Sequence, residues 1–201
     1  TTITLAMAPD VGAADAGDKA SSSNDDINGR GYDATININP SLGTEILSGL
    51  NMFVGAHETE TYREIGVGAP NAAAGNNKYQ ATAGVTLDIG PVSLGYQASG
   101  IDTGNNEATT DVSYYKNNFY GIAFNINDDL SVSYGKYETR KAGYHETDIQ
   151  GGEADRRVEV SSVQAAYTMG GASVRVASSN AENVAWSNGK NENTTTVSLS
   201  L

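Results

Sequence analysis

Six ionisable residues could interact with dissolved ions, because each lies in a stretch where apolar residues alternate with small polar ones. All six occupy the polar positions of that alternation: Asp33, His57, Lys78, Asp88, Asp111 and Arg175. Alternate residues of an extended chain point to opposite faces, so these charges belong to the polar face of predicted strands. Arg175, between Ser173 and Ala177 on that face, is the clearest cation. The pattern indicates a hydrated, charged surface that would attract counter-ions.

Catalytic patterns are not found in the sequence. The two histidines, His57 and His145, lie far apart, and no Ser-His-Asp spacing, His-x-x-x-His pair, glycine-rich phosphate loop or cysteine accompanies them. Acyl transfer needs a nucleophile and a base that converge, and thiolate metal sites need cysteine. We therefore predict no enzymatic activity and no cofactor.

A short acidic segment resembles the start of a calcium loop. Asn24, Asp26 and Asn28 supply oxygen donors at alternate positions, and Gly29 stands at the sixth. A complete loop carries glutamate at its twelfth position, which here is Thr35. We therefore predict an acidic solvated loop with weak divalent binding at most.

Composition excludes several classes of protein. The net charge of -12 argues against nucleic acid as a partner, since phosphate binding needs a basic patch. No run approaches the roughly 18 apolar residues of a transmembrane helix. The 201 residues suggest one domain, and Thr1 lies within an apparent strand without a preceding signal segment, so we expect the chain to be a fragment.

The elements that position the charges are strands of about ten residues. In the clearest, Tyr79, Val85 and Ile89 share one face while Gln80, Thr82 and Asp88 share the other. The pattern resumes after Gly90-Pro91, which predicts a hairpin. Ten such strands can be identified in ranges 1–8, 31–39, 49–57, 78–89, 92–100, 111–126, 130–134, 163–169, 172–178 and 195–201.

Connectors between these strands alternate in length. Long polar segments, predicted over 9–30, 58–77, 101–110, 139–156 and 179–193, follow the odd strands. Short links follow even ones, at Gly90-Pro91, Asn127 to Asp129 and Gly170-Gly171, but the link from Pro40 to Ser48 after the second strand is longer than this class should be. Outer-membrane barrels have long extracellular loops and short periplasmic turns. The fold class we predict is all-β, a transmembrane antiparallel up-and-down β-barrel in a single domain over residues 1–201, and its lipid faces should carry almost no formal charge.

Tyrosines on the apolar positions of the strands predict an aromatic girdle at the membrane interface. They are Tyr32, Tyr79, Tyr114, Tyr134 and Tyr167. Cross-strand packing in any exposed sheet would explain each of them equally well when taken alone.

Two other architectures also have strands in which apolar and polar residues alternate. A soluble sandwich would need inward side chains that pack a dry core, but here that set consists mainly of Ser, Thr, Asn, Gly and Gln. A secreted or surface-anchored β-solenoid adhesin, rich in the same residues, is the stronger alternative.

Three segments resemble general porins of alphaproteobacterial type, which are trimeric outer-membrane proteins of Gram-negative bacteria. They are the segment from Tyr114 to Gly135, the segment VQAAYTMGG from Val163 to Gly171, and the closing TTTVSLSL. The likeness covers the C-terminal half well and the remainder by pattern only.

The resemblance implies a sixteen-stranded trimeric barrel in the bacterial outer membrane, where it would contact lipid and lipopolysaccharide and pass small hydrophilic solutes and ions by diffusion. Ten strands would be its later part, without the loop that narrows the pore. The resemblance also implies a terminal aromatic residue, from which Leu201 departs. The six polar-face charges would line the pore, and the net acidity predicts a modest preference for cations.

Overall fold

The computed structural model describes residues 1–8, 26–40, 48–63, 73–74, 77–104, 112–143 and 156–200. Almost all of them are in β-strands, in chain order β1 (Thr2–Ala8), β2 (Asp26–Ile38), β3 (Leu50–Arg63), β4 (Ala73–Ala74), β5 (Lys78–Ile89), β6 (Val92–Asp102), β7 (Val112–Asn125), β8 (Leu130–Gly143), β9 (Arg156–Met169), β10 (Ala172–Glu182) and β11 (Glu192–Ser200).

Ten of these strands form one antiparallel up-and-down sheet, in which each strand pairs with its neighbours in the chain. The short strand β4 pairs with β3 beside this path. The predicted ten-stranded all-β architecture is confirmed. The sheet is not closed, however: β1 and β11 form its two edges, and no pairing joins them among the described residues.

The three short links predicted from the sequence are hairpin turns. Gly170 and Gly171 have φ of 57° and 91°, the positive values that a two-residue turn of this twist requires. Gly90, with φ of 55°, begins the turn between β5 and β6. In the third turn the Asn127 side-chain oxygen accepts hydrogen bonds from the main-chain N–H groups of Asp129 and Leu130, at 2.9 and 2.8 Å.

Several strands extend further than predicted toward the long connectors. β2 begins at Asp26, β3 continues to Arg63, β8 continues to Gly143 and β9 begins at Arg156, all within segments predicted to be loops. The apolar alternation stops before the ladder does, because main-chain hydrogen bonds between strands do not require apolar side chains. The sequence pattern therefore marked only the part of each strand next to the short turns.

The two faces of the sheet differ in chemistry, as the register predicted. The apolar face carries large hydrophobic side chains with high exposure, for example Leu5 at 76%, Val163 at 60% and Val197 at 68%. The polar face carries the intervening small and polar residues. No large side chain of the described residues is fully buried, so neither face contains a packed core.

Larger side chains interrupt the small polar composition of the polar face, among them Ile101, Tyr137, Val160 and the two phenylalanines Phe53 and Phe119. A Cβ added at Gly84 would meet the Phe53 ring at 2.4 Å, and one added at Gly135 would meet the Phe119 ring at 3.8 Å. Each phenylalanine ring therefore lies beside a glycine of an adjacent strand. Absence of a side chain at those glycines makes room for the rings.

Within the part of the chain that the structure describes, no helix has the length and apolarity needed to span a membrane. One helical turn of the 3-10 type, Val184–Trp186, interrupts the connection between β10 and β11.

Gly49, just before β3, lies very close to the backbone of β5 at the turn side of the sheet. A Cβ at Gly49 would lie 2.3 Å from the Asp88 main-chain oxygen, whereas one at Gly95 would have no atom nearer than 3.8 Å. Backbone cannot move aside cheaply, so we expect Gly49→Ala to lower the free energy of unfolding by about 1–3 kcal/mol.

The measurement is a denaturant unfolding midpoint for the refolded protein. Gly95→Ala is the matched control and should change the midpoint little. Equal midpoints for the two variants would show that the β3–β5 approach is looser than described.

Candidate functional site

Hydroxyl and amide groups form hydrogen bonds across the strands of the polar face. The Gln97 amide donates to the Thr82 hydroxyl at 3.0 Å. Asn117 joins three strands, since its amide nitrogen lies 3.3 Å from the Ser99 hydroxyl and its oxygen accepts from Tyr137 at 2.9 Å. Groups of this kind keep lone pairs and hydrogens available to water, so the face is chemically suited to an aqueous interior.

The structure brings three of the six predicted pore-lining residues into one neighbourhood. Asp33 in β2 and His57 in β3 are cross-strand partners, and Lys78 in β5 is the partner of Thr59, two residues beyond His57. Asp88 lies at the turn end of β5, and Arg175 lies in β10 opposite Ala166 and Ser198. Asp111 lies outside the described residues.

Asp33, His57 and Thr59 form a continuous hydrogen-bonded chain. The Asp33 Oδ1 lies 2.6 Å from His57 Nδ1, and His57 Nε2 lies 2.5 Å from the Thr59 hydroxyl oxygen. A carboxylate accepts only, so Nδ1 donates to Asp33, and a neutral imidazole in this tautomer would accept the Thr59 hydroxyl proton at Nε2. Asp33 and His57 remain accessible, with side-chain exposures of 47% and 31%.

These hydrogen bonds connect a hydroxyl, a base and an orienting carboxylate in the same sequence as in acyl-transfer enzymes. Lys78, directly across from Thr59, adds a cation at the same level of the sheet. The sequence did not reveal this arrangement, because Asp33 and His57 meet only through the β2–β3 register. A histidine and a threonine two residues apart in a strand were the only local signal.

The connection between β10 and β11 folds back across the polar face. Its Trp186 ring lies 5.8 Å from the Tyr115 ring, and the Lys141 ammonium lies 5.2 Å from the Trp186 ring. Tyr115 and Lys141 are cross-strand partners in β7 and β8. Sequence reasoning placed this segment in an ordinary polar loop and missed its contact with the sheet.

On the apolar face, three of the five predicted girdle tyrosines share one transverse row. The row runs through cross-strand pairs from Met7 through Tyr32, Glu58, Tyr79 and Asp102 to Tyr114. Tyr134 pairs with Ile122 and Val163, and Tyr167 pairs with Leu130 near the turns, so these two stand at other levels. The row therefore lies on the side of the long connectors.

A groove of about 1040 Å³ follows this row across six strands. Among its lining residues, Ala34, Ala56, Ala81 and Gly100 are successive cross-strand partners. Their small side chains leave the space beside the larger tyrosines.

A cluster of ions occupies the apolar face of β8 and β9, beyond the apolar part of these strands. Lys136 Nζ lies 2.7 Å from Glu159 and 3.1 Å from Glu138, and Arg157 lies 3.1 Å from Glu159. The Tyr120 hydroxyl donates to Glu138 at 2.7 Å. These charges lie outside the strand segments predicted from the sequence, to which the expectation of almost no formal charge applied, because β8 and β9 are longer than their apolar segments.

The partners of the two glutamates stabilise their charged forms. The hydrogen bond from Tyr120, together with Lys136, lowers the pKa of Glu138 below its ordinary value. The hydrogen bond from Lys136 has the largest effect in lowering the pKa of Glu159. The cluster is therefore a paired network on the connector side of the apolar segments of β8 and β9.

The segment with calcium-loop character is only partly described. Asn24 lies outside the described residues, whereas Asp26 and Asn28 belong to β2, opposite Arg63 and Thr61. Among the described ranges, no group of three or more His, Cys, Asp or Glu residues is arranged to hold a metal ion.

Comparison with known proteins adds no identity. No protein-family model matches the chain. A search of curated proteins likewise finds no match.

Proposed function

We propose that the chain contributes the wall of an outer-membrane, porin-like channel for passive diffusion of small hydrophilic solutes and ions. The observation that carries the proposal is the exposed apolar face of a sheet whose other face is mainly polar and whose described residues form no packed core on either side.

The free energy cost of exposing this apolar face to water argues against water as its solvent. About twenty large hydrophobic side chains lie exposed there. Leaving a Leu- or Val-sized side chain half exposed forgoes roughly 1 kcal/mol of burial, so the sum exceeds the 5–15 kcal/mol that stabilises a typical domain. A lipid hydrocarbon region would remove this cost and leave the polar face to water.

The ion cluster and the uneven apolar band support a protein contact beside β7–β9. The apolar residues run from Tyr79 to Ile89 in β5 but only from Leu130 to Tyr134 in β8. Charges close to a hydrocarbon region are costly. Contact with a second copy there fits the homotrimer implied by the resemblance, while lipid and lipopolysaccharide would contact β3–β6.

A surface adhesin is the alternative that the fold leaves open. The decisive experiment is reconstitution in a planar bilayer, where a channel produces discrete conductance steps. Lack of steps, together with gel mobility that boiling does not change, would favour the adhesin.

Arg175 provides a test of which face lines the channel. Arg175→Glu, on the polar face, and Lys116→Glu, on the opposite parity of β7, change the net charge equally. Fixed charge acts most strongly on ions that pass close to it, so Arg175→Glu should increase cation selectivity far more.

The measurement is the reversal potential in a salt gradient, starting from a wild-type channel that we expect to prefer cations modestly. An equal shift for both variants would indicate an effect of net charge alone. Clear anion selectivity of the wild type would contradict the proposed acidic lumen.

A second candidate function is hydrolysis of small esters, favoured by the Asp33–His57–Thr59 chain. The Thr59 oxygen would attack the acyl carbon while its proton passes to His57 Nε2, and Lys78 would attract the developing oxyanion. The leaving alkoxide would take the proton from His57, and water would then release the acyl group from Thr59 by the reverse sequence.

Thr59→Val should abolish hydrolysis of a p-nitrophenyl ester by the purified protein, because valine keeps the shape and lacks the nucleophile. Thr35→Val, on the same face of β2, is the control and should retain the activity. Absence of hydrolysis above the buffer rate by the unaltered protein would eliminate this candidate and leave the channel proposal unaffected.

A further inference from the structure

The connection from Asn183 to Asn191 is a compact loop held by its own hydrogen bonds. Val184 N–H donates to the Lys190 oxygen at 2.8 Å, and Gly189 N–H donates to the Asn183 side-chain oxygen at 3.0 Å. The Asn183 amide also donates to the Arg157 main-chain oxygen at 3.1 Å, which ties the loop to β9. These hydrogen bonds close the loop between its two ends and attach it to β9.

The backbone of this loop adopts conformations that side chains rarely occupy. Asn183, Ala185 and Trp186 have φ of 55°, 57° and 56°, and none of them is glycine. Left-handed conformations at non-glycine residues cost free energy and persist where surrounding contacts impose them. The hydrogen bonds of Asn183 and the ring contacts of Trp186 are such contacts.

The loop turns Trp186 away from β11 and across β9. The ring reaches the Tyr115–Lys141 pair of β7 and β8, on the polar face. Because β10 pairs with β9 and β9 with β8, this contact spans three strand spacings at the connector end of the sheet. A rigid aromatic group therefore projects over the surface that we assign to the lumen.

We propose that Trp186, held by Asn183 against Tyr115 and Lys141, narrows the connector-side mouth of the channel and determines the size of neutral sugars that can pass. This inference rests on the proposed channel function. A fixed indole excludes volume without adding formal charge, so it should discriminate by solute size. Monosaccharides should be affected little and larger oligosaccharides strongly.

The position of the ring is tested independently of transport. Trp186 is the only tryptophan of the chain, so fluorescence excited at wavelengths beyond the tyrosine absorption reports on this residue alone. Asn183→Gly removes the side-chain hydrogen bonds and still permits positive φ. We expect it to increase acrylamide quenching, whereas Lys190→Ala, a change at a side chain that is 56% exposed, should not. Unchanged quenching in Asn183→Gly would overturn the proposed anchoring.

The role in size selection is tested by swelling of liposomes that contain the full chain. Trp186→Ala should raise the ratio of raffinose to arabinose entry on the order of twofold or more, because the excluded volume is lost. Lys190→Ala should leave the ratio unchanged. Wild-type arabinose entry with an unaltered ratio in Trp186→Ala would overturn the inference alone, whereas no sugar entry in the unaltered protein would overturn the channel proposal with it.

Discussion

The antiparallel register is the constraint on which the rest of the structure depends. Side chains alternate across a strand, so a slip of one residue between any two strands would exchange the apolar and polar faces. The cross-strand pairs keep one parity from Leu5 opposite Ala34 to Val176 opposite Val197, apart from register shifts on the connector side, between Asn28 and Gly31 in β2 and between Val112 and Tyr114 in β7. One continuous apolar face and one continuous polar face result.

Local features of the fold could be predicted from the sequence because their causes are local. Alternation in Tyr79 to Ile89 indicates a strand, and Gly170-Gly171 supplies the positive φ of a tight turn. The predicted strands were too short on the side of the long connectors, because main-chain pairing continues through charged residues such as Lys136 and Glu138. A sixteen-stranded barrel was expected from the resemblance, with these ten strands as its later part, and the ten strands by themselves form an open sheet.

The candidate sites depend on contacts that the sequence alone could not predict. Asp33 meets His57 through pairing of β2 with β3, and Trp186 reaches Tyr115 only because the loop adopts rare backbone conformations. The ion cluster likewise joins residues of β7, β8 and β9. The residue types predicted a charged polar face that includes Asp33 and His57, whereas neither the Trp186–Tyr115 contact nor the ion cluster was predicted.

The proposed channel is tested most directly by measuring whether the two faces of the sheet contact different solvents. The chain has no cysteine, so single cysteines can be introduced in β5 at Thr82 and Thr86 on the polar face, and at Ala83 and Val85 on the apolar face. The protein is reconstituted in lipid vesicles and treated with a charged, water-soluble thiol reagent. Rapid reaction at 82 and 86 with protection at 83 and 85 is the predicted result. Equal reaction at all four positions would contradict the assignment of lipid and lumen faces.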